Sequence, residues 1–244
     1  MSLQSAFDRL AFLVSVPRCV SCDEKLDYND LALCPKCSAA FEEIKTRNCS
    51  ECAKLLSECS CVGEYLKRHF VKVQIKVFRY KNRDENIAAN SLIYSLKQDN
   101  RKDVLKRCTL ELARAISNSI DDPENYVFTN VPRRKSQIVK YGIDHAKLLA
   151  RSLADHYGAE YIQLLKSNVK TAQKTLVGKD RAMNVDFDIA NEVNLAGRGV
   201  IIVDDIVTTG ASVAASAMLI RTLGTKKIVA ASLAIATRDE HSYI

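Results

Sequence analysis

The run Val200-Ile201-Ile202-Val203, bounded by Gly199, limits the possible folds more than any other stretch of the chain. Four β-branched or aliphatic residues in succession, without alternation, read as a strand buried on both faces, and such strands belong to parallel sheets covered by helices. The acids Asp204 and Asp205 follow at the strand's carboxyl end, where open α/β sheets place their ligand crevice. Thr208, Thr209, Gly210, Ala211 and Ser212 then form a hydroxyl-rich bend that leads into a helical run from Val213 to Leu223. Such a bend aims backbone N–H groups and hydroxyls at one phosphate, and the helix N-terminus adds favourable partial charge. Gly210 permits close backbone approach or a positive φ. Carboxylates do not bind phosphate but accept hydrogen bonds from a vicinal diol, so a phosphorylated sugar suits both halves of the segment. The competing reading is a strand-to-helix turn of another Rossmann-like protein, with the acids as helix cap or metal ligands.

Around this segment the pattern repeats. Tyr126 to Val131 reads as a strand ending in Pro132-Arg133-Arg134-Lys135, three cations that would face a pyrophosphate or simply form a solvated loop. Ile143 to Tyr157 is helical and closed by Gly158; Tyr161 to Leu165 and Ile228 to Ala236 read as strands. Strand, helix, strand, twice over, predicts an α/β fold with a parallel sheet. Helices are expected at Asn86 to Lys97 and Asp103 to Ile120, the second carrying Cys108 as a small buried apolar residue. Phe7, Leu10, Ala11 and Val14 recur at helical spacing near the start. No internal repeat is evident. No apolar stretch approaches the roughly 20 residues of a membrane span, and no signal peptide is recognisable. A cytoplasmic protein is the expectation.

Eight of the nine cysteines lie between Cys19 and Cys61: Cys19-x2-Cys22, Cys34-x2-Cys37, Cys49-x2-Cys52 and Cys59-x-Cys61. Paired knuckles place four sulfurs around a tetrahedral ion, and reduced cytosolic thiols favour metal over disulfides. One or two Zn²⁺ are expected, grouped sequentially (Cys19, Cys22, Cys34, Cys37, then Cys49, Cys52, Cys59, Cys61) or interleaved. Eight thiolates around two divalent ions would lower the formal net charge of +7 by four, so global charge says little about nucleic acid. The local pattern says more. From Tyr65 to Arg83 the chain carries Lys67, Arg68, Lys72, Lys76, Arg79 and Lys81 and no acid, with Tyr65, Phe70, Phe78 and Tyr80 interleaved. Val71, Val73, Ile75 and Val77 alternate with Lys72, Gln74 and Lys76, which predicts a half-buried strand with one basic face. Two readings stand, a single-strand nucleic-acid track and an edge strand protected by lysines.

The 200–212 segment resembles the phosphoribosyl pyrophosphate (PRPP) motif of type I phosphoribosyltransferases. With the cysteine array, the basic strand and the phosphate bend in this order, the whole chain resembles the ComF family (ComFC-type). The resemblance also rests on Cys34-Pro35-x-Cys37, Val131-Pro132, Gly142, Ala146-x-Leu148-Leu149-Ala150 and Thr171-x-Gln173-x2-Leu176-x4-Arg181-x2-Asn184-Val185. It implies a type I phosphoribosyltransferase (Rossmann-like) parallel sheet with a small N-terminal zinc-binding module. The expected organisation is a helix and cysteine-rich module over 1–62, a basic linking strand and helices over 63–125, and the core over 126–244.

By the same resemblance, Asp204 and Asp205 would hold the ribose hydroxyls as the catalytic pair, and residues 208–212 the 5′-phosphate. Arg133, Arg134 and Lys135 would face pyrophosphate with Mg²⁺ bridging, under a loop carrying Gln173, Arg181 and Asn184. Where the family has Arg-Gly-Phe-Asn-Gln, this chain has Tyr141-Gly142-Ile143-Asp144-His145. Thr208 stands where purine-salvage enzymes of the wider fold carry an acid, which argues against purine salvage. The implied role is handling incoming single-stranded DNA during natural transformation, with PRPP or a related phosphate as ligand and a helicase of the uptake machinery as a partner. The alternatives are an active phosphoribosyltransferase on an unidentified acceptor and a zinc-stabilised scaffold.

Overall fold

The computed structural model describes residues 16–80, 87–99, 101–133, 138–139, 142–168 and 187–236. The expected N-terminal helix with Phe7, Leu10, Ala11 and Val14 lies outside them. Along the chain run helices α1 (Pro35–Lys45) and α2 (Glu64–Arg68), strand β1 (Val71–Tyr80), helices α3 (Ile87–Gln98) and α4 (Lys102–Ser117), and strand β2 (Tyr126–Asn130). Then come α5 (His145–Tyr157), β3 (Glu160–Tyr161), β4 (Leu165–Ser167), β5 (Phe187–Ile189), β6 (Gly199–Val207), α6 (Ala211–Thr222) and β7 (Lys227–Ala236).

Five strands form one parallel sheet in the order β1-β7-β6-β2-β3. The unalternating run of β6 lies at its centre, and its side chains split between two cores: Ile201 and Val203 face α3, α4, α5 and the first cysteine module, while Val200 and Ile202 face α2, α6 and the β4–β5 pair. Burial on both faces is what that run required. Gly199 opens the strand because a Cβ there would stand 2.4 Å from the Tyr126 ring. The α/β fold expected from the sequence is therefore present. One element differs. Tyr161 to Leu165 is not one strand: Glu160–Tyr161 extends the main sheet, and Leu165–Ser167 leaves it to pair antiparallel with β5.

The chain turns in two opposite directions at the sheet's centre. From β2, α5 carries it outward to β3; from β6, α6 carries it the other way to β7. The carboxyl ends of β2 and β6 thus flank the point where the strand order reverses, the place where open α/β sheets bind ligands.

The cysteine modules are built into this framework. Residues 18–25 and 48–55 adopt the same knuckle, a structural repeat that the sequence conceals because little beyond the cysteines is shared. In each, the first cysteine N–H donates to the carbonyl five residues on, at 2.8 Å (Cys19 to Glu24, Cys49 to Lys54), and its carbonyl accepts from a positive-φ residue, Asp23 or Ala53, at 2.9 Å. The second knuckle of the first module instead opens α1, with Cys34 as N-cap and Pro35 in the first turn. A charged seam fastens α1 to α4. Lys45 contacts Glu111 at 2.6 Å and Glu42 at 2.8 Å, and Arg107 contacts Glu111 at 2.8 Å and Glu42 at 3.4 Å. Phe41 lies beneath both cations and meets Phe78 of β1 edge-on.

The second module covers the open edge of β1. The Gln74 N–H donates to Ser60 O at 3.4 Å, the Gly63 N–H donates to Gln74 Oε1 at 3.3 Å, and Lys76 Nζ donates to Cys61 O at 2.8 Å. This overturns the expected basic face of β1: Lys72 is exposed, but Gln74 and Lys76 are buried because their edge is occupied by protein.

Glu111→Leu should destabilise the fold by roughly 2–4 kcal/mol in urea denaturation, since two largely buried cations would be left to share Glu42. Adding Lys45→Met should recover more than half of that loss, because Arg107 alone is then matched by Glu42. Equal losses in the single and double variants would rule out this account of the seam.

Candidate functional site

The acidic pair closes the crevice between β2 and β6. Asp204 and Asp205 lie within β6 rather than after it, each with one oxygen fixed by backbone: the Asp205 N–H donates to Asp204 Oδ1 and the Ile206 N–H to Asp205 Oδ1, both at 2.9 Å. Asp205 is 3 % exposed and Asp204 half-buried. A buried carboxylate needs counter-charge. Arg133, directly after β2, supplies one through a short hydrogen bond to Asp205 Oδ2, and Lys97 of α3 supplies a second at 3.1 Å. Burial opposes ionisation of Asp205, but Lys97 and Arg133 outweigh it and hold its carboxyl well below the usual range. Burial, then the like charge of Asp205, pushes Asp204 well above that range. The pair thus holds one firm negative charge and one reluctant one, as close carboxylates do.

Beyond the acids the bend matches its predicted form. Thr208 and Thr209 are exposed, and Gly210 takes φ +78° at the N-cap of α6. Thr209 Oγ1 accepts from the Ala211 N–H at 3.3 Å. Gly210 has no side chain to cap α6, and the N-terminus of such a helix is where free backbone N–H groups can hold an anion. A Cβ on Gly210 would stand 3.0 Å from Leu66 Cδ2, so α2, five residues past Cys61, packs directly beneath the bend.

Behind Arg133, Asp144 caps α5 by accepting the Lys147 N–H at 3.1 Å, and burial raises its carboxyl above the ordinary value. His145 beside it is 1 % exposed; burial, followed by repulsion from Arg133, lowers its imidazole below the ordinary value. Asp144 and His145 therefore serve here as helix cap and core.

Arg133, Asp204, Asp205 and the 208–212 bend are thus brought to one edge of the sheet. Arg134, Lys135, Gln173, Arg181, Asn184 and Lys81 lie outside the described residues. Lys67, Arg68 and Lys72 are exposed along the α2 flank, where Lys67 pairs with Glu64 at 2.8 Å. Phe70, at the end of this flank, carries Arg221 over its ring at 4.1 Å. Arg79 emerges instead at the carboxyl edge, paired with Ile235. Lys97 was missed from sequence because nothing local marks a lysine in the last turn of a helix as the partner of a distant acid. A cavity of about 350 Å³ between Pro17, Tyr28, Leu31, Lys102 and Lys106 contains none of the predicted site residues.

The two cysteine sets group sequentially, which resolves the pairing left open by spacing. Within Cys19, Cys22, Cys34 and Cys37, and within Cys49, Cys52, Cys59 and Cys61, all sulfurs lie within 4.8 Å of one another. All nine cysteines are free, and Cys22 and Cys34 Sγ are 3.7 Å apart. A tetrahedral site with Zn–S bonds of about 2.3 Å has S···S edges of about 3.8 Å, so both sets could hold zinc. Without a cation four thiols resist joint ionisation: burial and its neighbouring sulfurs push Cys37 up to about 12, while backbone hydrogen bonds override burial and bring Cys19 down to about 7. Lys76 stands beside Cys59 as a counter-charge in the second set. Cys108, away from both, is buried as expected and pushed up to about 12 by that burial.

The family model "Phosphoribosyl transferase domain" matches residues 138–243. No curated protein matches the chain. Among solved structures it is similar to a purine phosphoribosyltransferase from Pyrococcus horikoshii, at 18 % identity and TM-score 0.35 over 54 % of this chain and 72 % of that one. It is similar to an adenine phosphoribosyltransferase from Thermoanaerobacter pseudethanolicus, at 19 % and 0.37 over 57 % and 81 %. A hypoxanthine-guanine phosphoribosyl transferase from L. donovani matches at 14 % and 0.34 over 62 % and 74 %. The match over 138–243 and the parallel five-stranded sheet agree on a phosphoribosyltransferase-like α/β fold. Among the described residues no helix is long and apolar enough to cross a membrane.

The acidic pair should leave a signature in stability against pH. A carboxyl raised above its ordinary 3.8, such as Asp204, favours the fold below that value and loses this contribution as pH rises through its raised value. Asp205, being depressed, contributes above 3.8 and loses its contribution as pH falls. The Asp204→Asn variant should therefore gain on the wild type in urea denaturation as pH rises above 3.8 toward neutrality. A constant difference across that range would contradict the raised carboxyl.

Proposed function

We propose that the chain binds PRPP or a related sugar phosphate at the carboxyl edge of β6. In this reading Asp204 and Asp205 take the ribose hydroxyls, Thr208, Thr209, Gly210, Ala211 and Ser212 take the 5′-phosphate, and Arg133 faces the pyrophosphate side, with Arg134 and Lys135 after it. The observation that carries the reading is the placement of the acid pair, one acid firmly ionised, beside a glycine-opened helix N-terminus at the switch point of a parallel sheet. Mg²⁺ would offset the phosphate charge of the bound ligand, and Gln173, Arg181 and Asn184 would belong to a closing loop. Zn²⁺ in the two cysteine sets would supply folding energy to modules too small for a core of their own. If the site is catalytic, displacement of pyrophosphate at an anomeric carbon would draw on the acids and cations to stabilise the developing and departing charges. In calorimetry with Mg²⁺, Asp204→Ala with Asp205→Ala should abolish PRPP binding while the urea transition remains cooperative. Unchanged affinity would remove the assignment.

The resemblance to the ComF family supports a second reading, a cytoplasmic protein that handles incoming single-stranded DNA and works with a helicase of the uptake machinery. The observation in its favour is the exposed row Lys67, Arg68 and Lys72, with Phe70 among them. Phosphate contacts release counterions, so binding should weaken steeply with salt. Changing Lys67, Arg68 and Lys72 together to Ala should weaken binding of a labelled oligonucleotide and flatten its salt dependence by roughly 2–3 units of slope. Equal slopes in variant and wild type would argue against a DNA role for this row.

A further inference from the structure

Two anion-attracting features flank the acidic pair on opposite sides. On one side α6 begins at Gly210 and leads to β7; on the other, Arg133 follows β2, and Lys97 reaches in from the last turn of α3. Two cations converge on one carboxylate oxygen, Asp205 Oδ2, where one would neutralise it. The side chains of Lys97 and Arg133 are 27 % and 12 % exposed, against 5 % for Asp205, so the cations form a lip above the acid. Two cations sharing one carboxylate oxygen keep donors to spare at the mouth, which an incoming anion can take.

We infer that Lys97 is a ligand-binding residue which, together with Arg133, leaves Asp205 to grip a diphosphate group as the ligand enters. The exchange frees Asp205 Oδ2 to accept from the sugar diol. The diphosphate side of that ligand then lies under Lys97 as well as Arg133. A sugar monophosphate alone would have to compete with both cations for Asp205. This inference rests on the sugar-phosphate reading above and adds Lys97, a residue that the reading lacks.

The test uses the full chain with Mg²⁺ and two probes, ribose 5-phosphate and inorganic pyrophosphate, each titrated by calorimetry. Lys97→Met should weaken pyrophosphate binding by roughly tenfold, the worth of one charge-assisted contact, and leave ribose 5-phosphate binding unchanged or tighter. Lys97→Arg should stay within about twofold of the wild type for both probes, because it keeps the charge. In the wild type, pyrophosphate should tighten ribose 5-phosphate binding by releasing Asp205, a coupling that Lys97→Met should reduce. Arg133 still pairs Asp205 in the variant, so the fold is expected to persist; if Lys97→Met does not fold, Lys97→Gln carries the same comparison. Equal pyrophosphate affinity in wild type and variant, or no pyrophosphate binding by the wild type, would overturn the role of Lys97. Absence of ribose 5-phosphate binding by the wild type both with and without pyrophosphate would instead overturn the sugar-phosphate reading itself.

Discussion

Burying the Asp205 carboxylate at the end of the central strand is the constraint around which the site is organised. A charge at 3 % exposure is tolerated only with partners, and neither comes from the same element. Arg133 arrives from the end of β2 and Lys97 from α3, so one carboxylate oxygen ties the central strand, its neighbour and a helix of the covering layer together. The same arrangement sets the electrostatics of the crevice. Asp205 is held ionised, Asp204 resists ionisation beside it, and the cations stand at the mouth.

The cysteine modules serve the sheet as well as themselves. The first contributes Leu26, Leu33, Phe41 and Ile44 to the core on one face, and its helix is fastened to α4 by the Lys45–Glu111 contact. The second lies along β1 and meets the polar groups that an edge strand would otherwise present to solvent or to another chain. It continues through α2 to Leu66, which packs under Gly210. The module and the 208–212 bend therefore share a wall, and segments far apart in the sequence form one framework.

Much of this was legible because it depends on local pattern. The unalternating Val200 to Val203 run reads as a doubly covered strand, and Gly210 before a small-residue helix reads as a close approach or a positive φ. Cysteine knuckles announce four-sulfur clusters whatever surrounds them. Where the reading failed, a distant contact overrode the local signal. Alternation in Val71 to Val77 predicted a wet basic face, yet Lys76 is 3 % exposed because the second module docks there. The apolar Tyr161 to Leu165 run reads as one strand, yet its ends join different sheets.

The sequence by itself determined the parallel α/β class, the acid pair at the end of a buried strand, the glycine that opens the helix and the presence of clustered cysteine sulfurs. Each of these follows from periodicity, from the few residues that tolerate a given backbone, or from ligand spacing within a short segment. Only the tertiary structure decided which cations answer Asp205, which cysteines share a cluster, and that Lys76 serves a thiolate set rather than a solvent-facing track. Those outcomes depend on charges and sulfurs brought together from separate parts of the chain, and electrostatic pairing in a buried site is fixed by distance and desolvation, neither of which a linear pattern records.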